Sequence, residues 1–283
     1  MGNESAVVVG VDGSDNARVA LAAAIEEATT RKAPLHLVAA YHAPAVRRHS
    51  VAVEYEKVVR DEAAAILAEA AEQARGAGAE VTTSVHAGDA SGVLLEQSRS
   101  AALVVVGARG RGGFMGRLLG SVAAALPAHA ACPVLVVPRP ADGSAHTEQD
   151  YSGRVVVGVD ASGTANPALA AAADEAQRRA MPLVIVAVAG PDFDADARAA
   201  GDADAVRGVL GQCLESVRAA HPRVQAATEL LEGSAAEVLA GITATAELVV
   251  VGARGSGGFK AMRLGSTAHA LLGHALGPVL VVR

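Results

Sequence analysis

Val104-Val105-Val106-Gly107-Ala108-Arg109-Gly110 is a β-branched run that ends in glycine, and it returns as Val249-Val250-Val251-Gly252-Ala253-Arg254-Gly255. The run has no polar alternation, so both of its faces are expected to be buried, as in a parallel sheet covered by helices on both sides. Working outward, Val7-Val8-Val9-Gly10-Val11-Asp12 recurs as Val155-Val156-Val157-Gly158-Val159-Asp160. Pro133-Val134-Leu135-Val136-Val137 recurs as Pro278-Val279-Leu280-Val281-Val282. The segments keep their order and nearly their spacing, so a chain of 283 residues is two copies of one unit. Between them, Pro138 to His146 is polar and rich in turn formers, the signature of a linker. The expected division is a first domain over 1–140, a linker over 141–153 and a second domain over 154–283.

Within each copy, short β-branched runs alternate with longer Ala-rich stretches. Strands are expected near 7–11, 35–40, 81–86, 103–107 and 134–137, and helices near 16–31, 52–76, 90–100 and 121–131. The second copy's strands are expected near 155–159, 183–188, 224–230, 248–252 and 279–282. Strands separated by helices mean parallel βαβ units. Right-handed crossovers then give an α/β fold of two tandem, doubly wound, five-stranded parallel sheets.

Composition narrows the function classes. Hydrophobic residues make up 51% of the chain but aromatics only 2%, so the core is built from Ala, Val and Leu. A formal charge of −6 without a basic stripe argues against a nucleic-acid or anionic-membrane partner. Cys132 and Cys213 occupy non-equivalent positions and show no metal-like or CxxC spacing, so they are expected as buried free thiols. No secretory pattern stands at the N-terminus and no apolar run approaches bilayer length, which leads us to expect a cytoplasmic protein.

In an open parallel sheet, ligands bind beyond the carboxyl ends of the strands where strand order reverses. Strand 1 ends in Val11-Asp12-Gly13-Ser14, and strand 4 opens into the glycine-dense Gly107–Gly116, followed by Gly120-Ser121 at a helix start. Glycine permits close backbone approach to an anion, and positive φ. A helix N-terminus offers unpaired amides and the positive end of the macrodipole to phosphate. There is no GxxxxGK[ST] and no GxGxxG after strand 1, which removes the P-loop and dinucleotide-type sites. Instead both copies read Gly-x2-Gly-x9-Gly-Ser: Gly107, Gly110, Gly120 and Ser121, then Gly252, Gly255, Gly265 and Ser266.

This spacing after a fourth strand, together with an aspartate ending strand 1, resembles the universal stress protein family, and the resemblance covers nearly the whole chain twice. It implies a Rossmann-like fold of the adenine nucleotide alpha hydrolase type, and one ATP per domain, with Mg2+ as an accompanying ion. The implied contacts are Asp12, Gly13 and Ser14 with Asp160, Ala161 and Ser162 at strand 1, and Ala40 with Val188 at the end of strand 2, against adenine. Gly107, Gly110, Gly120, Ser121 and Val122, with Gly252, Gly255, Gly265, Ser266 and Thr267, are implied for ribose and phosphates, and Arg109 and Arg254 inside the loops are added as candidate phosphate partners. It also implies that the apolar strand-5 edges pair, here within one chain as a pseudo-dimer, with a homodimer of whole chains as a further option.

The residues leave alternatives open. Asp12 and Asp160 also suit turns or caps. Arg109 and Arg254 are either solvated or phosphate partners. His129 and His274 lie where histidine complements a helix C-terminus, His36 is expected to pack, and His42, His49 and Asp61 form no catalytic set. The expected function is a nucleotide-dependent stress-response regulator with no catalytic residues. A slow Mg-dependent ATPase and a scaffold with a structural nucleotide are the rivals.

Overall fold

Strand 1 of the first copy, β1 (Val7–Gly10), pairs in parallel with β2 (Leu35–Tyr41) on one side and β4 (Leu103–Gly107) on the other. The computed structural model describes residues 6–42, 50–111, 119–139, 149–160, 167–190, 202–255 and 263–283. β3 (Val81–Ala87) joins β2, and β5 (Val134–Val137) joins β4, giving the order β3-β2-β1-β4-β5. The sheet grows in one direction from β1 to β3 and in the other from β4 to β5. That reversal opens a crevice beyond the carboxyl ends of β1 and β4.

Helices α1 (Asp15–Arg31) and α2 (Ser50–Gly76) cover one face, while α3 (Ala90–Gln97) and α4 (Ser121–His129) pack together on the other. Because both faces are covered, β1 and β4 are buried nearly throughout, which explains their lack of alternation. The second copy repeats the plan. β6 (Val155–Gly158), α5 (Pro167–Arg179), β7 (Leu183–Ala189), α6 (Asp202–Ala220), β8 (Ala226–Glu232), α7 (Ala235–Ile242), β9 (Leu248–Gly252), α8 (Ser266–His274) and β10 (Val279–Val282) follow in order. Their strand order, β10-β9-β6-β7-β8, is the same when read from the opposite edge.

The chain divides into two compact units at residues 139 and 140; most of the linker stretch lies outside the described residues. The last part of that stretch already packs with the second unit. Tyr151 is buried and its hydroxyl lies 2.6 Å from Glu229 Oε2 on β8.

Several boundaries differ from the sequence reading by one to three residues, and three of them have a visible cause. β8 begins at 226 rather than near 224, because Val224, although buried, closes a turn by donating its N–H to His221 O. α3 ends at Gln97, where the Ser98 hydroxyl turns back onto Leu95 O. α4 stops at His129 as the chain turns extended at Ala130. Cys213 is buried as expected, whereas Cys132 is only half-buried at the turn before β5. Both thiols are free, and burial pushes Cys132 up to about 11, so it stays protonated at neutral pH.

His36 packs in β2 as expected but also joins a polar ladder on the face it shares with β3. Its Nδ1 lies 2.8 Å from the Thr82 hydroxyl and its Nε2 2.9 Å from the Ser84 hydroxyl, which also contacts His86 Nε2. Burial, and secondarily the neighbouring His86, lowers its pKa from the ordinary 6.5. A histidine lowered on folding takes up its proton more readily in the unfolded chain, so its stabilising contribution is present at high pH. It falls as pH drops through the unfolded value of 6.5. The aligned position in the second copy is Val184. His36→Val should therefore flatten the loss of unfolding free energy between about pH 7 and pH 5 in urea titrations. Parallel pH curves for the two proteins would show that His36 carries none of it.

Candidate functional site

At the crevice beyond β1 and β4 lies a cavity of about 430 Å3. Asp12 closes its floor. Asp12 Oδ1 accepts the Ser14 N–H at 2.9 Å, and Oδ2 accepts the Arg111 N–H at 2.9 Å. The carboxylate therefore ties the strand-1 turn to the start of the glycine loop. The turn reading of Asp12 is met by the first of these contacts.

In the first copy the motif glycines answer to close neighbours. A Cβ on Gly107 would lie 2.7 Å from the backbone oxygen of Asn16 in the first turn of α1. On Gly110 it would lie 2.5 Å from Asp12 Oδ2, and on Gly120 3.2 Å from Ala108 O. None of the described motif glycines uses the positive φ that glycine permits. Gly120 has φ −74° and Gly265 −67°, both extended. At the strand-1 turn Gly13 does adopt positive φ, at +79°, where the chain turns into α1 against Ile66.

Gly120 is the N-cap of α4 and carries no side chain to cap it, and its own N–H is spent on Ala108 O at 2.8 Å. The first described amide bond into α4 is Ala124 N–H to Gly120 O. The amides of Ser121, Val122 and Ala123 are thus the first-turn donors that a helix leaves to an outside acceptor, and all three residues line the cavity. The α1 N-terminus differs, because Ser14 Oγ accepts the Ala17 N–H.

The opposite wall is apolar: Val11, Val38, Ala40, Leu94 and Val106. Gly10 makes room for it, since a Cβ there would lie 2.9 Å from Leu94 Cδ1. Thus Asp12, Ala40, Gly107, Arg109, Gly110, Gly120, Ser121 and Val122 come together around one cavity. Gly13 and Ser14 do not line it, because one makes the turn and the other caps α1. Val38, Leu94 and Arg111 line it and were not expected. Val38 was legible as the neighbour two residues before Ala40 on the same strand face; Leu94 and Arg111 carried no signal distinguishing them from core and loop residues.

In the second copy Asp160 stands in the same relation to its loop, for a Cβ on Gly255 would lie 2.6 Å from Asp160 Oδ2. Gly265 again caps its helix without a side chain and bonds Ala253 O at 2.7 Å. Gly252 ends β9, Val188 is half-buried one residue before the end of β7, Arg254 and Gly255 are exposed beyond β9, and Ser266 and Thr267 open α8. Ala161 and Ser162 lie outside the described residues, as does His49.

Elsewhere, His129 Nδ1 lies 3.0 Å from Ala125 O in the last turn of α4, and His274 occupies the last turn of α8. His42 and Asp61 are exposed and share no partner among the described residues. No group of three His, Cys, Asp or Glu among the described residues is placed to hold a metal, and no described helix is long and apolar enough to cross a membrane.

The universal stress protein family model matches residues 5–138 and again 152–283. The universal stress protein Rv2623 of Mycobacterium tuberculosis H37Rv is 33% identical over 298 residues, covering 100% of this chain and 98% of that protein. A solved universal stress protein from Archaeoglobus fulgidus DSM 4304 shares the fold with a TM-score of 0.68 at 21% identity, over 98% of this chain and 96% of that one. A shorter universal stress protein, solved in complex with cAMP, is 32% identical over 48% of this chain and 97% of its own, with a TM-score of 0.39. The chain belongs to the universal stress protein family and carries that family's domain twice.

Proposed function

We propose that this protein binds ATP, one molecule in each copy, and acts as a nucleotide-dependent regulator in the cytoplasmic stress response. The observation that carries the reading is the uncapped start of α4. Three first-turn residues whose amides have no side-chain cap line a cavity that also has apolar lining, which suits a ligand with one anionic and one flat apolar end. Adenine would lie against Val38, Ala40 and Leu94, with its edge toward the β2 backbone. The phosphates would lie over Gly110, Gly120 and the Ser121–Ala123 amides.

The arrangement is better suited to holding than to hydrolysis. Both Asp12 oxygens accept backbone amides, so the residue best placed for activating water is engaged in fixing the loop. A cradle that binds the ground state as it stands gives no acceleration unless the transition state gains more. Mg2+ would enter with the phosphates. The strand-5 edge of each copy, apolar throughout, is proposed to be paired with its counterpart rather than left open.

Calorimetry should give about two ATP per chain. Thermal or urea unfolding with nucleotide about a hundredfold above its Kd should show stabilisation of about 2.7 kcal/mol per site. Neither heat nor a melting shift at millimolar Mg-ATP would end the assignment. Chromatography of nucleotide released from denatured, freshly purified protein identifies the native occupant.

A further inference from the structure

We propose that Arg111 and Glu62 form an exchange pair that makes the first copy's site select for nucleotides with a long phosphate chain. The proposal rests on the nucleotide-binding reading above and names its specificity. Arg111 has two attachments that act separately. Its backbone N–H is held by Asp12 Oδ2, while its guanidinium Nη1 lies 2.8 Å from Glu62 Oε1 on α2. The residue lines the cavity, while its guanidinium is paired with Glu62 of α2, which does not line it.

Both partners are about half exposed, at 53% and 56%. An ion pair this open contributes little and is easily given up. A phosphate chain reaching the loop offers the same guanidinium a doubly charged, bidentate acceptor, which is the stronger partner. Glu62, left behind at the rim, then opposes the same anion. A nucleoside that stops short of the loop meets neither effect. Arg111 therefore rewards phosphate, and Glu62 sets a threshold that only a well-extended chain passes.

The second copy lacks both members. Spacing from the repeated Gly-Ala-Arg-Gly puts Ser256 where the first copy has Arg111. The buried ladder Leu67, Ala70 and Ala74 of α2 matches Leu210, Cys213 and Val217 of α6, which sets Ala205 at the position of Glu62. A pair kept in one copy and missing in the other as a unit is what an interacting pair predicts, and it makes the two sites unequal toward phosphate number.

The test is calorimetry of the full chain with ATP and, separately, with adenosine, fitted as two sites. Arg111→Gln keeps the backbone N–H that Asp12 holds. It should weaken ATP about tenfold at one site only, the size expected from losing one charged hydrogen bond, and leave adenosine unchanged at both. Glu62→Gln should tighten ATP at that same site. Equal weakening of ATP and adenosine by Arg111→Gln, or weaker ATP binding in Glu62→Gln, would overturn the exchange. Wild-type protein that binds ATP while both variants match it overturns the exchange alone. Wild-type protein that gives no heat with ATP overturns the nucleotide reading and the exchange with it.

Discussion

Asp12→Ala combined with Asp160→Ala should remove ATP binding from both copies while leaving the chain folded. In the first copy the carboxylate serves two amides, Ser14 N–H and Arg111 N–H, each at 2.9 Å. Hydrogen bonds to a charged group contribute about 1.5–3 kcal/mol each where the partner is left without a substitute. Ser14 and Arg111 are not buried, so water replaces much of what is lost and the stability cost should stay near about 1 kcal/mol per copy. The ligand has no such substitute, because the glycine loop is no longer tied to the strand-1 turn and the cradle must be ordered at the expense of binding. Affinity should fall by about a hundredfold or more, from the loss of one full loop anchor and its preorganisation.

Asp12→Asn separates the two attachments. Its amide oxygen can replace one accepted bond, but its NH2 cannot accept the other, so the α1 turn survives while the loop is released. That variant should melt like the wild type and still bind poorly at the first site. Ala variants that bind ATP with unchanged affinity would remove Asp12 and Asp160 from the site altogether.

The sheet was legible because its strands are short, β-branched and bounded by glycine, and because the whole pattern occurs twice. A misread strand start at 224 came from the same signal, since Val224 is buried without being paired. At the site, the glycines and aspartates were legible as positions, but what each glycine does was not. Sequence records only the absence of a side chain, and Gly107, Gly110 and Gly120 lack one for three different neighbours: a helix backbone, a carboxylate and the loop's own return. The apolar wall was legible at Ala40 and, by strand alternation, at Val38, whereas Leu94 looks like any other core aliphatic. The Arg111–Glu62 contact joins residues 49 apart in sequence, and no local pattern marks such a pair. Tyr151 was hidden by its flanks, Asp150 and Ser152-Gly153, whose turn-forming composition reads as linker while the ring itself packs inside.

The first two motif glycines should therefore fail in opposite ways. At Gly107 a methyl group would meet Asn16 O, C and Cβ at 2.7, 2.8 and 2.9 Å, which is the fixed backbone of α1's first turn and the base of one side chain. Nothing there can swing aside, so β4 and α1 must separate, at the about 1–3 kcal/mol that overpacking costs. At Gly110 the added carbon would meet Asp12 Oδ2 at 2.5 Å, with the next atom, Asp12 Cγ, at 3.7 Å. A carboxylate oxygen can rotate away, so folding is spared, but that same oxygen is the one that accepts the Arg111 N–H. Gly107→Ala should shift the urea midpoint strongly, and whatever protein remains folded should keep its first site. Gly110→Ala should keep its unfolding free energy within about 0.5 kcal/mol of wild type and lose ATP at the first site, and Gly255→Ala should do the same at the second. Urea denaturation and calorimetry on the same preparations read the two effects separately. Should Gly110→Ala unfold as readily as Gly107→Ala, or bind ATP as the wild type does, Asp12 would not be the anchor that turns the loop into a site.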